Sequence, residues 1–190
     1  MNRLLILLVA LLLPLCLTAE EPKLDPAALQ HSVAQLRNAI GRWEVQTEFL
    51  NEDGSVAKAV DGSYEFEWVV PDRVVRGRNE IPEMKQASGI LFYINEAAAI
   101  IEMAAVGRDG KLWVMTGPLG SEERLSQVYA TADGGMGQLR FTRFNIEDDR
   151  FESRMEYTDD GGKSWKPGNH QVFKRAANVA SSKPRDPDLD

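Results

Sequence analysis

Two histidines, one cysteine and a set of late arginines carry most of the chemistry open to this 190-residue chain. A lone imidazole can ligate a heme iron, which makes His170 the titratable side chain of most interest. His31 falls off the apolar stripe of its segment and reads as a solvated side chain. Arginine stands at positions 140, 143, 150 and 154. On a wet sheet face, Arg140, Arg150 and Arg154 would pair across strands with Glu152 and Glu156. Arg143 is in register with Leu139 and Phe141 and would point inward, where a guanidinium in an aromatic cup clamps a carboxylate. A register break would leave it exposed instead. The acid pairs Asp148-Asp149 and Asp159-Asp160 lack the spaced oxygens and distal glutamate of a calcium loop, so they read as solvated turns and no metal site is expected. Gly134-Gly135-Met136-Gly137 is no phosphate loop, because a strand pattern rather than a helix follows it.

Strands must position these side chains. Trp43, Val45, Thr47 and Phe49 alternate with Arg42, Glu44, Gln46 and Glu48. Tyr64, Phe66, Trp68 and Val70 alternate with Glu65 and Glu67, and Phe151, Ser153, Met155 and Tyr157 with Glu152, Arg154 and Glu156. One dry face and one charged face mark a strand half-buried in an antiparallel sheet. Residues 89–94 are apolar on both faces, so their outer side is expected to be covered, by the N-terminal helix or by a partner. Turn chemistry at Asp53-Gly54, Pro71-Asp72, Asn95-Glu96, Asp109-Gly110, Asp133-Gly134-Gly135, Asp148-Asp149 and Gly161-Gly162 separates the strands. The expected fold is all-β: an antiparallel up-and-down barrel of about ten strands, since closing a one-faced sheet removes its edges. One short helix precedes it, with Asp25 as cap, Pro26 in the first turn, and Leu29, Val33, Leu36 and Ile40 at helical spacing. Alternation that turns Phe173 and Arg175 inward also turns Asn169 and Gln171 inward and leaves His170 outside, unless a bulge intervenes.

Residues 1–19 read as a signal peptide: Arg3 supplies the positive start, Leu4 to Leu15 the apolar run, and Ala19 a small residue for cleavage. The run is short of the roughly 20 apolar residues a spanning helix needs. Pro14 and Leu15 stand where a lipidation signal at Cys16 would carry small residues. The expected location is therefore periplasmic or extracellular. Removing Arg3, the one charged residue in 1–19, takes the formal charge from −7 to −8. That balance argues against nucleic acid, which requires a clustered cationic face. Residues 20–175 form one expected domain, and the small, Pro-rich, charged tail 176–190 is expected to be disordered.

Gly41-x-Trp43 on a first strand, answered by Arg175 at the end of the last, resembles the lipocalin and calycin superfamily, and more closely the uncharacterised secreted bacterial lipocalin-like barrels. The resemblance spans residues 41–175 and implies a barrel sealed at one end by Trp43, with Arg175 laid across its indole as a cation–π contact. It also implies a pocket for a hydrophobic small molecule. Thr158-Asp159-Asp160-Gly161-Gly162-Lys163-Ser164-Trp165 matches the Asp-box pattern and is similar to the repeated turn of sialidase propellers. A single copy reads as a stabilised hairpin. His170, on a late strand, resembles in placement the heme-ligating histidine of nitrobindin-type barrels.

The expected function is an exported barrel that binds a small, largely hydrophobic ligand as a carrier or sensor. Its expected lining is Tyr64, Phe66, Trp68, Phe92, Trp113, Met115, Phe141, Arg143 and Tyr157, an aromatic-rich inward face in a barrel wide enough for a cavity. No catalytic residue and no resident cofactor is expected. The alternatives are a heme-binding or cofactor-free barrel enzyme, for which His170 and a few tyrosines are the available groups, and a cell-envelope interaction module with a filled barrel.

Overall fold

The computed structural model describes residues 24–131 and 134–177. The expected signal peptide, Cys16 and the tail from residue 178 lie outside the described residues. Helix α1 (Pro26–Ala39) starts where Asp25 Oδ1 accepts the Ala27 N–H at 3.0 Å, with proline in the first turn. Eleven strands follow: β1 (Gly41–Leu50), β2 (Val56–Val70), β3 (Val74–Ile81), β4 (Gln86–Asn95), β5 (Ile100–Gly107), β6 (Leu112–Pro118), β7 (Glu123–Ser126), β8 (Tyr129–Ala130), β9 (Met136–Phe144), β10 (Arg150–Thr158) and β11 (Lys166–Arg175). A short 3-10 turn at Pro82–Met84 joins β3 to β4.

Ten of these strands close a ring. Each of β1 to β6 pairs with the next, β7 pairs with β9, and β9, β10 and β11 continue antiparallel back to β1. The two-residue β8 adds to β9 beside Met136 and Gly137. Inward-outward alternation holds along β1, where Trp43, Val45 and Thr47 are buried and Arg42, Glu44 and Gln46 exposed. Phe66 lies over Gly77 across the β2–β3 ladder, where a Cβ on Gly77 would collide with the phenyl ring.

One end of the ring is plugged by α1. Leu36, fully buried, packs with Val75, Phe92, Ile94 and Ile101, while Leu29 and Val33 extend the contact. Trp43 closes the same end: it pairs in register with Arg175, its Nε1 donates to Ala39 O at 2.8 Å, and the Arg175 guanidinium carbon stands 4.2 Å from its ring centre. Arg175 is further held by the carbonyls of Ile40 (2.7 Å), Asn38 (3.2 Å) and Asp148 (2.9 Å). Gly41, at φ +117°, lies directly under this side chain, where a Cβ would stand 2.8 Å from Arg175 Nη1.

The N-terminal helix does not cover the outer side of residues 89–94. α1 meets this strand through Phe92 and Ile94 at the plugged end of the lumen, while Leu91 on the outer face remains 40% exposed. Helical packing against the inside of the barrel thus accounts for one apolar face only.

Candidate ligand site

Inside the ring lies a cavity of about 170 Å³. Its floor is Ala39 of α1, and its walls come from both halves of the barrel: Tyr64 and Phe66 of β2, Phe92 of β4, Met103 of β5, Phe141 of β9 and Phe173 of β11. Aromatic rings make one side rigid. Phe151 and Phe173 stack at 4.2 Å, Trp43 meets Phe151 edge-on at 4.9 Å, and Tyr64 meets Phe173 edge-on at 5.2 Å.

Two arginines face this apolar space. Arg124, from the four-residue β7, is 1% exposed, and Arg143, from β9, is 5% exposed. Each guanidinium is oriented by a ring and by α1. Arg124 lies 4.8 Å over Phe92 and donates through Nη2 to Gln35 Oε1 at 2.9 Å. Arg143 lies 4.6 Å over Phe151 and donates through Nη2 to Asn38 Oδ1 at 2.7 Å. Glu122 is the carboxylate beside them, its Oε2 3.6 Å from Arg143 Nε. The Nε groups of both arginines, Glu122 Oε2 and Asn79 Oδ1 are buried without a hydrogen-bond partner. Burial pushes the Arg124 guanidinium down to about 10, with repulsion from Arg143 adding to the effect and Glu122 opposing it. Arg143 is lowered too, again chiefly by burial and against the pull of Glu122.

The structure places the residues nominated from sequence as follows. Tyr64, Phe66, Phe92, Phe141 and Arg143 line the cavity. Met115 is buried in the wall but does not line it, and Trp68 packs into the Leu36 cluster under the helix. Trp113 shares the inward side with Ala105, its cross-strand partner, yet is 37% exposed and meets Tyr129 edge-on at 5.6 Å. Tyr157 stands two residues beyond the lining residue Met155, near Lys166. Trp68, Trp113, Met115 and Tyr157 therefore lie off the cavity because parity specifies which side of the sheet a residue takes but not its height along the barrel.

Arg124, Met103, Met155, Gln171 and Phe173 line the cavity as well and were not nominated. Gln171 follows from the β11 alternation. Arg124 had no usable signal, since β7 is too short to display a period.

His170 lies on the outer wall. It is stacked on Phe144 at 6.0 Å, and its Nε2 and Nδ1 stand 2.8 Å from Glu152 Oε2 and 3.3 Å from Glu48 Oε2. Of the outer arginines, Arg140 of β9 pairs across strands with Glu156 of β10 at 2.9 Å as expected, whereas Arg150 with Glu152 at 2.7 Å and Arg154 with Glu156 at 3.4 Å pair two residues along β10 itself. In the Asp-box hairpin, Asp160 Oδ1 accepts the N–H groups of Lys163 (2.9 Å) and Ser164 (3.0 Å), and Thr158 Oγ1 accepts that of Gly162 (3.0 Å). These bonds, with the Ser164 hydroxyl foremost, hold the Asp160 carboxyl well below the usual range. Asp159 pairs with Lys166 at 2.9 Å.

No family model and no curated relative matches the chain. Among solved structures it is similar to Rv2717c from M. tuberculosis, at 10% identity over 82% of this chain and 100% of that one, with a TM-score of 0.49. It is also similar to a DUF3598-family protein of unknown function from Nostoc punctiforme, at 12% identity over 75% of this chain and 49% of that one, with a TM-score of 0.47. A third likeness is to the S-type phycobiliprotein lyase CPES from Guillardia theta, at 11% identity over 82% and 99%, with a TM-score of 0.41. All three are distant, and the barrel described above rests on its own strand pairing.

Proposed function

We propose that this protein is an exported carrier or sensor that holds a small, largely apolar molecule inside the barrel. The observation that carries the reading is the cavity of about 170 Å³ between α1 and the aromatic wall. An apolar cavity of about 150 Å³ is large enough to take benzene, so the space suits a ligand whose apolar part is about one ring or a short chain. A packed core leaves no void of this size without losing dispersion contacts, which an occupant would restore. Residues 1–19 support the export half of the reading through their charged start, apolar run and small residue before Glu20.

Two measurements test it. Native mass spectrometry of the purified protein should find a co-purifying small molecule, or benzene and toluene should raise the unfolding temperature of the emptied protein. Ala105→Phe, which fills the cavity from β5, should abolish that rise. If no molecule co-purifies and no apolar probe shifts unfolding, the internal site is not a binding site. Amino-terminal sequencing of secreted or periplasmic material should begin at Glu20; a retained Met1 would remove the export half.

A second reading is an envelope docking module. It draws on an outer groove by β6 and β8, where Leu112 and Val128 are exposed, with Met136 exposed on the adjacent β9. Light scattering showing a strict monomer, with no envelope partner retained on a column, would count against it.

A further inference from the structure

The floor of the cavity holds two guanidinium groups against one carboxylate. Arg124 and Arg143 are both more than nine-tenths buried, both line the lumen, and Glu122 is the acid within reach. Gln35 Oε1 accepts from one nitrogen of Arg124, and Asn38 Oδ1 and the Gln35 carbonyl (3.5 Å) accept from two of Arg143, but none of these brings a charge. One positive charge is left over, and a buried Nε on each arginine has no hydrogen-bond partner. An uncompensated buried charge is costly, and proteins retain one where a ligand supplies the missing partner.

We infer that the ligand is a monoanionic carboxylic acid with a compact apolar body, its carboxylate seated on Arg124 and Arg143 and its body against Phe66, Phe141 and Phe173. This rests on the internal-binding reading above and specifies its ligand class. Charge decides between anions, because a monoanion neutralises the surplus whereas a doubly charged phosphate overshoots it. Geometry agrees. Each guanidinium carbon stands over a phenyl ring, Arg124 at 4.8 Å from Phe92 and Arg143 at 4.6 Å from Phe151, and each arginine keeps a buried Nε–H without a hydrogen-bond partner, donors that suit a carboxylate. Volume sets the upper limit: about 170 Å³ admits an aryl or short-chain acid and excludes a long-chain fatty acid.

The test compares acids with neutral isosteres on the unaltered protein by calorimetry at neutral pH: benzoate with benzamide, and hexanoate with hexanamide. Each acid should bind about 10- to 100-fold more tightly than its amide, as expected for charge-assisted hydrogen bonds formed out of water. Arg124→Met and Arg143→Met should each remove that preference. Because the isostere comparison needs no variant, a variant that fails to fold does not block the test. Amides binding as tightly as acids, with toluene still bound, overturns the carboxylate inference and leaves internal binding standing. If acids, amides and toluene all fail to bind, the internal-binding reading fails and this inference with it.

Discussion

Arg124 illustrates how a single residue can be kept at a cost to the empty protein. Replacing a buried, under-paired cation by an apolar side chain of similar length is often stabilising by about 1–4 kcal/mol. Arg124→Met should accordingly stabilise the ligand-free protein within that range in urea unfolding, while destroying acid binding. Glu122→Gln acts in the opposite sense, leaving two cations with no acid. It should destabilise by about 1–3 kcal/mol, less than for a fully buried partner because Glu122 keeps a fifth of its side chain in water. The pH dependence has a definite sign. Burial brings the Arg124 guanidinium down to about 10 in the folded protein, below its value in the unfolded chain. Between those values the unfolded chain binds the proton more tightly, so this group's contribution to stability rises with pH. The advantage of Arg124→Met should therefore be full at neutral pH and shrink above about pH 10; an advantage unchanged at high pH would show that Arg124 burial is not its source. On the outer wall, His170 faces Glu48 and Glu152 rather than the lumen. Hemin titration is therefore expected to give no Soret band that His170→Ala removes.

At the level of elements, much of the architecture was legible because period and parity are imposed by burial. The stripe Leu29, Val33, Leu36, Ile40 marked α1, and alternation along β1, β10 and β11 assigned Trp43, Met155 and Gln171 to the inside and His170 to the outside. What alternation could not convey was α1 docking into the end of the lumen, so the helix is not the cover of the outer face of β4. Nor could it reveal Arg124, whose partner Gln35 is 89 residues away on that helix. Leu36→Ala should cost about 2–5 kcal/mol, because it hollows the contact between the plug and Val75, Phe92 and Ile101. The Asp-box hairpin between β10 and β11 depends on one carboxylate. The Asp160 carboxyl is lowered from its ordinary value, so its contribution is complete above the unfolded aspartate range and is lost as pH falls toward the folded value. Hydrogen exchange at the Lys163 and Ser164 amides should accelerate in Asp160→Ala, with little change in the strands.

The ring as a whole explains why inward parity was a good guide to sidedness and a poor guide to the pocket. Trp68, Met115, Trp113 and Tyr157 share the inner surface with Phe66 and Phe141, but each lies too close to an end, or too deep in the wall, to reach the central space. Depth emerges only when ten strands and a helix are assembled, since it depends on shear, tilt and where the plug stops. β1 and β11 are partners in the ring although they lie at opposite ends of its sequence, and the final residue of β11 supplies the guanidinium bound to the carbonyls of Ile40, Asn38 and Asp148. A nascent chain threading forward from its first residue therefore carries two raw edges until Arg175 emerges. Such late zippering is slow, and an unpaired edge recruits strangers. Holdase demand during synthesis should scale with that waiting time, and a stop codon placed at Gln171 should leave a sticky, half-wrapped sheet.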